Sequence, residues 1–245
     1  MSEGTDRTNQ EMRAFWDAKA RENAMWFIHS DLDYANPDEA EFWSSGRDNL
    51  DRTLSPFGLT LQPADTVVEI GCGIGRMTRA LAERAGHVVG IDVSAEMIEQ
   101  GRRALADLDN VELLVGSGTD LTGVPDKSAT VVFSFIVFQH IPDPEITCSY
   151  IREMGRVLRP GGWALFQVSE EPAVHQRSTW ERSEGARARL ARMFGRRPKG
   201  CLEAQWLGSA VPRPRLMAAL DEGGLVLDGT IGDGTQYCMV HAHRS

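Results

Sequence analysis

Two carboxylates and three alternating glycines are the residues on which chemistry could turn. Val67 to Ala80 reads VVEIGCGIGRMTRA: a short apolar run containing Glu69, then Gly71, Gly73 and Gly75, then helix-forming residues. Such a run is the first unit of an α/β fold, and its loop lies at the carboxyl end of a sheet strand, where a ligand is expected. Glycines there permit a tight turn, close backbone approach to the ligand, and close seating of a helix whose free N–H groups point at it. A carboxylate at the strand tip suits a cationic ammonium better than a pyrophosphate. The dinucleotide pattern G-x-G-x-x-G is also broken, because Arg76 stands at its last position. The pair therefore favours an amino-acid-bearing nucleotide.

Three further strand tips extend the site. Asp92, followed by Val93, ends the second apolar run; its carboxylate can accept both hydroxyls of a ribose lying across the adjacent strands. Ser117 and Gly118 follow the third run, where an adenine ring comes next. The Gly118 N–H could reach a ring nitrogen, and the Ser117 hydroxyl could bond the exocyclic amine or cap a turn. Met97, Ile98 and Leu121 are candidates for packing on the ring. The fourth tip reads SFIVFQH, and its Phe135 and Ile136 would meet the part of the ligand furthest from adenine. His140 titrates near neutral pH, so it is either a general base or a residue that orients the loop before Pro142.

Helices and strands must hold these tips in place. Met12, Phe15, Trp16, Ala20, Met25 and Trp26 recur at helical spacing and predict a helix from Gln10 to about Ser30. A second is predicted from Pro37 to Leu54, started by Asn36. These helices form an N-terminal cap, residues 1–56, placed to fold across the crevice; Trp16, Trp26 and Trp43 either line it or belong to ordinary core. From residue 57 short apolar runs alternate with helical segments, which requires a mostly parallel sheet covered on both faces. Strands are expected at 66–70, 87–91, 111–115, 130–135 and 163–168, with helices at 76–84, 94–108 and 144–158. Residues 171–212 interrupt the alternation with an arginine-rich helical pattern: Arg182, Arg187, Arg189, Arg192, Arg196, Arg197 and Lys199. A helix from Arg213 to Leu220 and two strands, 225–231 and 236–242, close the domain. The turn Gly232-Asp233-Gly234 makes those two a hairpin, so an antiparallel C-terminal edge is expected on a Rossmann-like, seven-stranded sheet.

Composition sets the outer limits. The chain has 245 residues, 42% hydrophobic and 25% charged, and a formal net charge of -9. That describes an ordinary globular α/β protein and argues against holding nucleic acid by its overall field. The four cysteines are scattered without a C-x-x-C, so a disulfide scaffold or metal site is not expected and a cytoplasmic location is. No signal peptide or stretch of membrane length is visible. Ser-His-Asp order, H-E-x-x-H and a Walker lysine are also missing, which leaves hydrolase and nucleoside triphosphatase chemistry unsupported.

On these residues the chain resembles the class I S-adenosylmethionine-dependent methyltransferases, particularly their small-molecule and natural-product branch. The segments VVEIGCGIGRMTRAL, GIDVSAEMI, VVFSFIVFQHIPD and IREMGRVLRPGGWALF carry the resemblance, over about residues 60–170 and again at 213–242. It implies S-adenosyl-L-methionine as cofactor and S-adenosyl-L-homocysteine as product. Glu69 and Gly71 would hold the methionine end, Gly73 and Gly75 would form the turn, Asp92 would take the ribose, and Ser117 with Gly118 would recognise adenine. The family often has aspartate in place of Ser117, and serine is the weaker acceptor. His140 matches a histidine frequent after the fourth strand, one that is not catalytic in every relative. The 171–212 segment occupies the place of substrate-covering elements.

The expected activity is methyl transfer to an oxygen or nitrogen of a small metabolite, an anionic one if the arginines face the crevice. Competing readings are an RNA or protein methyltransferase, a noncatalytic cofactor-binding partner protein, and a poorly supported NAD-dependent oxidoreductase. A D/N-P-P-Y-like signature after the fourth strand, common in base-amine methyltransferases, is absent. The tryptophan-rich N-terminus could also bury the interface of a homodimer.

Overall fold

The computed structural model describes residues 3–176 and 201–245. The arginine-rich stretch from Arg182 to Lys199 lies outside the described residues. Among those described, seven strands form one sheet: β1 (Thr66–Ile70), β2 (His87–Asp92), β3 (Val111–Val115), β4 (Ala129–Ser134), β5 (Leu158–Val168), β6 (Leu225–Ile231) and β7 (Cys238–Arg244), in the order β3-β2-β1-β4-β5-β7-β6.

The central strands are apolar at consecutive positions because both faces are covered. Val68, Val132 and Phe166 join a core with helices α5 (Pro144–Val157) and α7 (Arg213–Glu222). Their neighbours Val67, Val131 and Leu165 face the opposite way, against α2 (Glu39–Leu54) and α3 (Arg76–Ala82). Parallel pairing runs from Val67↔Val131 between β1 and β4 and from Thr66↔His87 between β1 and β2. The chain moves outward through β2 and β3 and then returns to place β4 on the other side of β1. The crevice at the carboxyl ends of β1 and β4 is the switch point at which such sheets bind ligands.

At the far edge β7 pairs antiparallel with both β5 and β6. The expected hairpin is present; β7 is the reversed strand and β6 the outermost one. β5 begins at Leu158, earlier than the expected 163, because Leu158 pairs with Ala129 before a register shift carries the exposed Arg159-Pro160-Gly161 stretch.

The N-terminal helices differ from expectation in their detail. α1 spans Glu3–Ile28 and is broken at Asn23, whose φ of -170° and ψ of 82° are extended. The Asn23 carboxamide accepts from Trp26 N at 3.1 Å and donates to Tyr34 O at 2.8 Å, capping the second half from within. α2 is capped by Asp38, not Asn36, with its side chain accepting from Glu41 N. α4 (Ala95–Ala104) is shorter than expected and is capped by Ser94. A one-turn helix, α6 (Ala204–Leu207), lies beside α1 and the β4 loop. No helix among the described residues is long and apolar enough to cross a membrane.

Candidate functional site

The glycine loop is fastened to the second strand. Gly71 N and Cys72 N both donate to Ile91 O, at 2.7 and 3.1 Å, and Gly73 N donates to Asp92 Oδ2 at 2.9 Å. Gly71, Gly73 and Gly75 all have positive φ, at 74°, 55° and 96°. Space is short as well: a Cβ at Gly73 would lie 2.6 Å from Ile28 Cδ1, and one at Gly71 would run into the Val137 side chain. Only glycine satisfies the backbone and the packing together.

Above this loop opens a cavity with about 1000 Å3 of empty space, part of it open to solvent. Glu69, Gly71, Gly73, Asp92, Val93, Phe135 and His140 line it, as do Met12, Trp16, Phe27 and Ile28 from α1. Ile136, at the β4 tip, holds a φ of 56°, a left-handed conformation that a β-branched residue rarely adopts. Of the ring-packing candidates, Met97 lines the cavity, whereas Ile98 and Leu121 belong to the buried core. Trp16 reaches the cavity; Trp26 instead stacks on Trp206, and Trp43 packs beside Arg79 and Phe42.

The charges on the floor are unusual in their burial. Glu69 is 3% exposed, and burial raises its pKa to about 7 against the opposing hydrogen bond from Thr78 Oγ1, at 2.6 Å, and the nearby Arg76. Burial likewise raises Asp92 to about 6, although Ser94 N and Gly73 N both donate to it. Arg76 is also 3% exposed; burial lowers it to about 10, and its Nε is buried with no hydrogen-bond partner. By sequence Arg76 is a break in a glycine pattern and the start of a helix, with no site role assigned. Its place as first residue of α3, beside the β1 tip, was the available signal.

The remaining expected residues are placed less simply. Gly75 caps α3, and Ser117 and Gly118 do not line the cavity. The Ser117 hydroxyl accepts from Thr119 N and Asp120 N and donates to Asp120 Oδ1 at 2.6 Å, the turn-capping alternative. Its carbonyl receives Asn9 Nδ2 and Arg13 Nη2, so the start of α1 is tied to the β3 tip. Asp17 continues the tie, accepting from Ser94 Oγ and Glu96 N.

His140 is half-buried, and desolvation lowers its pKa to about 4. Its Nδ1 lies 2.7 Å from Trp206 O, which fixes the N–H there and leaves Nε2 as the acceptor, 3.2 Å from the Gln139 amide nitrogen. One group of possible metal ligands occurs among the described residues, Glu170, Asp233 and Cys238, but Arg213 pairs with both of its carboxylates and already supplies a positive charge.

Comparison with known proteins decides what domain this is. The sequence pattern of the family described as "Methyltransferase domain" matches residues 67–162. Demethylmenaquinone methyltransferase of Clavibacter sepedonicus is 34% identical over 131 residues, covering 54% of this chain and 52% of that protein. Its counterpart from Listeria welshimeri is 36% identical over 121 residues, covering 47% and 50%. Residues 67–162 carry a methyltransferase domain. The chain spans about half the length of these two relatives. Geranyl diphosphate C-methyltransferase of Streptomyces coelicolor, solved with Mg2+, geranyl-S-thiolodiphosphate and S-adenosyl-L-homocysteine, shares the fold. It superimposes with a TM-score of 0.61 at 16% identity, over 97% of this chain and 98% of that one.

The cofactor expected from the sequence, S-adenosylmethionine, suits the donor set. S-adenosylmethionine carries an ammonium, a carboxylate, a sulfonium and a ribose diol, and the cavity offers two carboxylates and a buried guanidinium whose Nε lacks a partner. Polar groups so buried are ordinarily satisfied, so the orphaned Nε marks a place for an acceptor.

Proposed function

We propose that this protein transfers the methyl group of S-adenosylmethionine to a small metabolite with substantial apolar surface. The observation that carries the reading is one cavity lined both by the charged strand tips Glu69 and Asp92 and by the apolar side chains Trp16, Phe27, Ile28, Ile136 and Val137. Bound S-adenosylmethionine supplies a methyl carbon already electrophilic on its sulfonium.

The chain's own task is to position and to exclude water. Glu69 faces the ammonium, Arg76 the carboxylate, and Asp92 the ribose hydroxyls, with Gly71, Gly73 and Gly75 letting the backbone approach. Val93 borders the base, with Gly118 behind it. Phe135 and Ile136 border the reacting end, and α1 closes the cavity above them as the lid of an N-terminal cap. His140 holds α6 through Trp206 in this reading. As a general base it would act through Nε2, weakly, because a pKa lowered to about 4 disfavours the protonated form it would have to adopt.

The relatives named for demethylmenaquinone and geranyl diphosphate C-methylation support an apolar acceptor, and they add carbon to the oxygen and nitrogen nucleophiles expected from sequence. An anionic acceptor would depend on the arginines between 182 and 199. A cytoplasmic location agrees with the buried thiols of Cys72, Cys148 and Cys238. A homodimer through the N-terminal helices is the assembly we would test for.

Methyl-labelled S-adenosylmethionine incubated with metabolite, RNA and protein fractions tests the reading. Label entering a small apolar metabolite with wild type and not with D92A supports it. Label entering RNA or protein overturns the acceptor class, and cofactor binding without transfer to any fraction overturns the activity.

A further inference from the structure

The adenine end of the cavity lacks an obvious acceptor at the β3 tip. Adenine offers an exocyclic amine, a donor, next to the ring nitrogen N1, an acceptor, and a site that reads it must present the complementary pair. The backbone N–H of Gly118 can supply the donor. The Ser117 hydroxyl is an unsuitable acceptor: it takes two backbone N–H groups, from Thr119 and Asp120, and gives its proton to Asp120.

A second acceptor stands beside it, carried by α1. Asn9 donates its Nδ2 to the Ser117 carbonyl, which fixes the orientation of the carboxamide. Its Oδ1 is buried with no hydrogen-bond partner. It occupies the space that a Cβ on Gly118 would need, next to the Val93 side chain. Neither Asn9 nor Gly118 lines the cavity, but their neighbours do: Val93, against Gly118, and Met12, one helical turn from Asn9 on the same side of α1. Arg13, also on α1, bonds the carbonyls of Gly116 and Ser117 and holds this turn against the strand tip.

We infer that Asn9 is the adenine-reading residue of this protein, its Oδ1 accepting the exocyclic amine while Gly118 N–H meets N1. Recognition of the base is thereby shared between the sheet and the lid, and the lid seats fully only over a base that bears an amine. The orphaned Oδ1 finds its partner in the ligand, which explains why so buried an acceptor is left without one.

The test compares two ligands by calorimetry: S-adenosylhomocysteine, and its analogue with unsubstituted purine, which lacks the 6-amine and keeps N1. Wild type is expected to prefer the amine-bearing ligand by roughly ten-fold, the effect of one buried hydrogen bond. In N9A that preference collapses to within about two-fold, the pattern of a lost pairwise coupling. R13A, which loosens the same turn without touching the base, is the control: it weakens both ligands in parallel and keeps the preference. An N9A protein that retains the wild-type preference, or that weakens both ligands equally as R13A does, overturns the assignment. Because the readout is equilibrium binding, the result stands whatever acceptor is methylated.

Discussion

Nδ1 of His140 donates to the main-chain carbonyl oxygen of Trp206, 2.7 Å away. Trp206 in turn stacks on Trp26 with centroids 5.9 Å apart and meets Trp16 at 6.3 Å. The histidine thus joins the β4 loop to the aromatic cluster under α1, and its position in the cavity wall need not mean proton transfer.

Asparagine can mimic the Nδ1 donor of His140, and alanine cannot. H140N is therefore expected to keep the melting temperature within a few degrees of wild type while H140A loses about 1–3 kcal/mol of stability, the cost of an unsatisfied buried group. If His140 is instead the general base, both variants lose kcat alike and the pH profile loses an acid limb. Thermal melts alongside kcat and KM separate the two.

Asp92 should matter most for binding. Replacing it with alanine removes two charge-assisted hydrogen bonds to the ribose, about 3 kcal/mol or on the order of 100-fold in affinity. Calorimetric titration with S-adenosylhomocysteine measures it, and unchanged affinity would refute the ribose role.

Cofactor affinity should depend on pH. Glu69 and Asp92 have raised pKa values, about 7 and about 6, because burial disfavours their charged forms. A cationic ligand favours those charged forms, so binding releases protons and affinity rises as pH climbs through 6 to 7. The ligand-free protein follows the opposite sign: what the two groups contribute to its stability is fully present below their unfolded values, near 4, and is lost as pH rises through the same window. Titrations and melts between pH 5 and 8 check both trends, and parallel trends would contradict the assignment.

The glycine loop gives a steric prediction. G73A forces a left-handed φ of 55° on alanine and presses a methyl group against the tip of Ile28. The conformation costs about 1–2 kcal/mol, and Ile28 must shift, so a chemical melt should lose that much and cofactor affinity should fall with it.

Legibility followed the range of the interaction. β3 and β6 have the bounds that the sequence predicts, because an apolar run between turn residues is a local signal. Glu69, Asp92 and Phe135 converge on one cavity because each lies at the carboxyl end of a strand in the parallel part of one sheet. The break at Asn23 was hidden, since an asparagine among helix formers looks tolerable until Tyr34 is known to lie beside it. Asn9 and Arg13 meet residues over a hundred positions away, and no pattern in their own helix announces it. The Ser117 turn illustrates a third case: both roles of the hydroxyl were visible, and only the positions of Asp120 and Thr119 chose between them.

The order β5-β7-β6 also bears on how the chain is assembled. The outermost strand is made before the one that connects it to the sheet, so during synthesis β6 has no edge to join. Its partner must arrive, turn back at Gly232–Gly234 and slot against β5, burying Cys238, Val240 and Ala242 completely. Sheet completion is therefore a late, non-local event. Until β7 has left the ribosome, the exposed edge of β5 is an unpaired strand edge open to wrong partners.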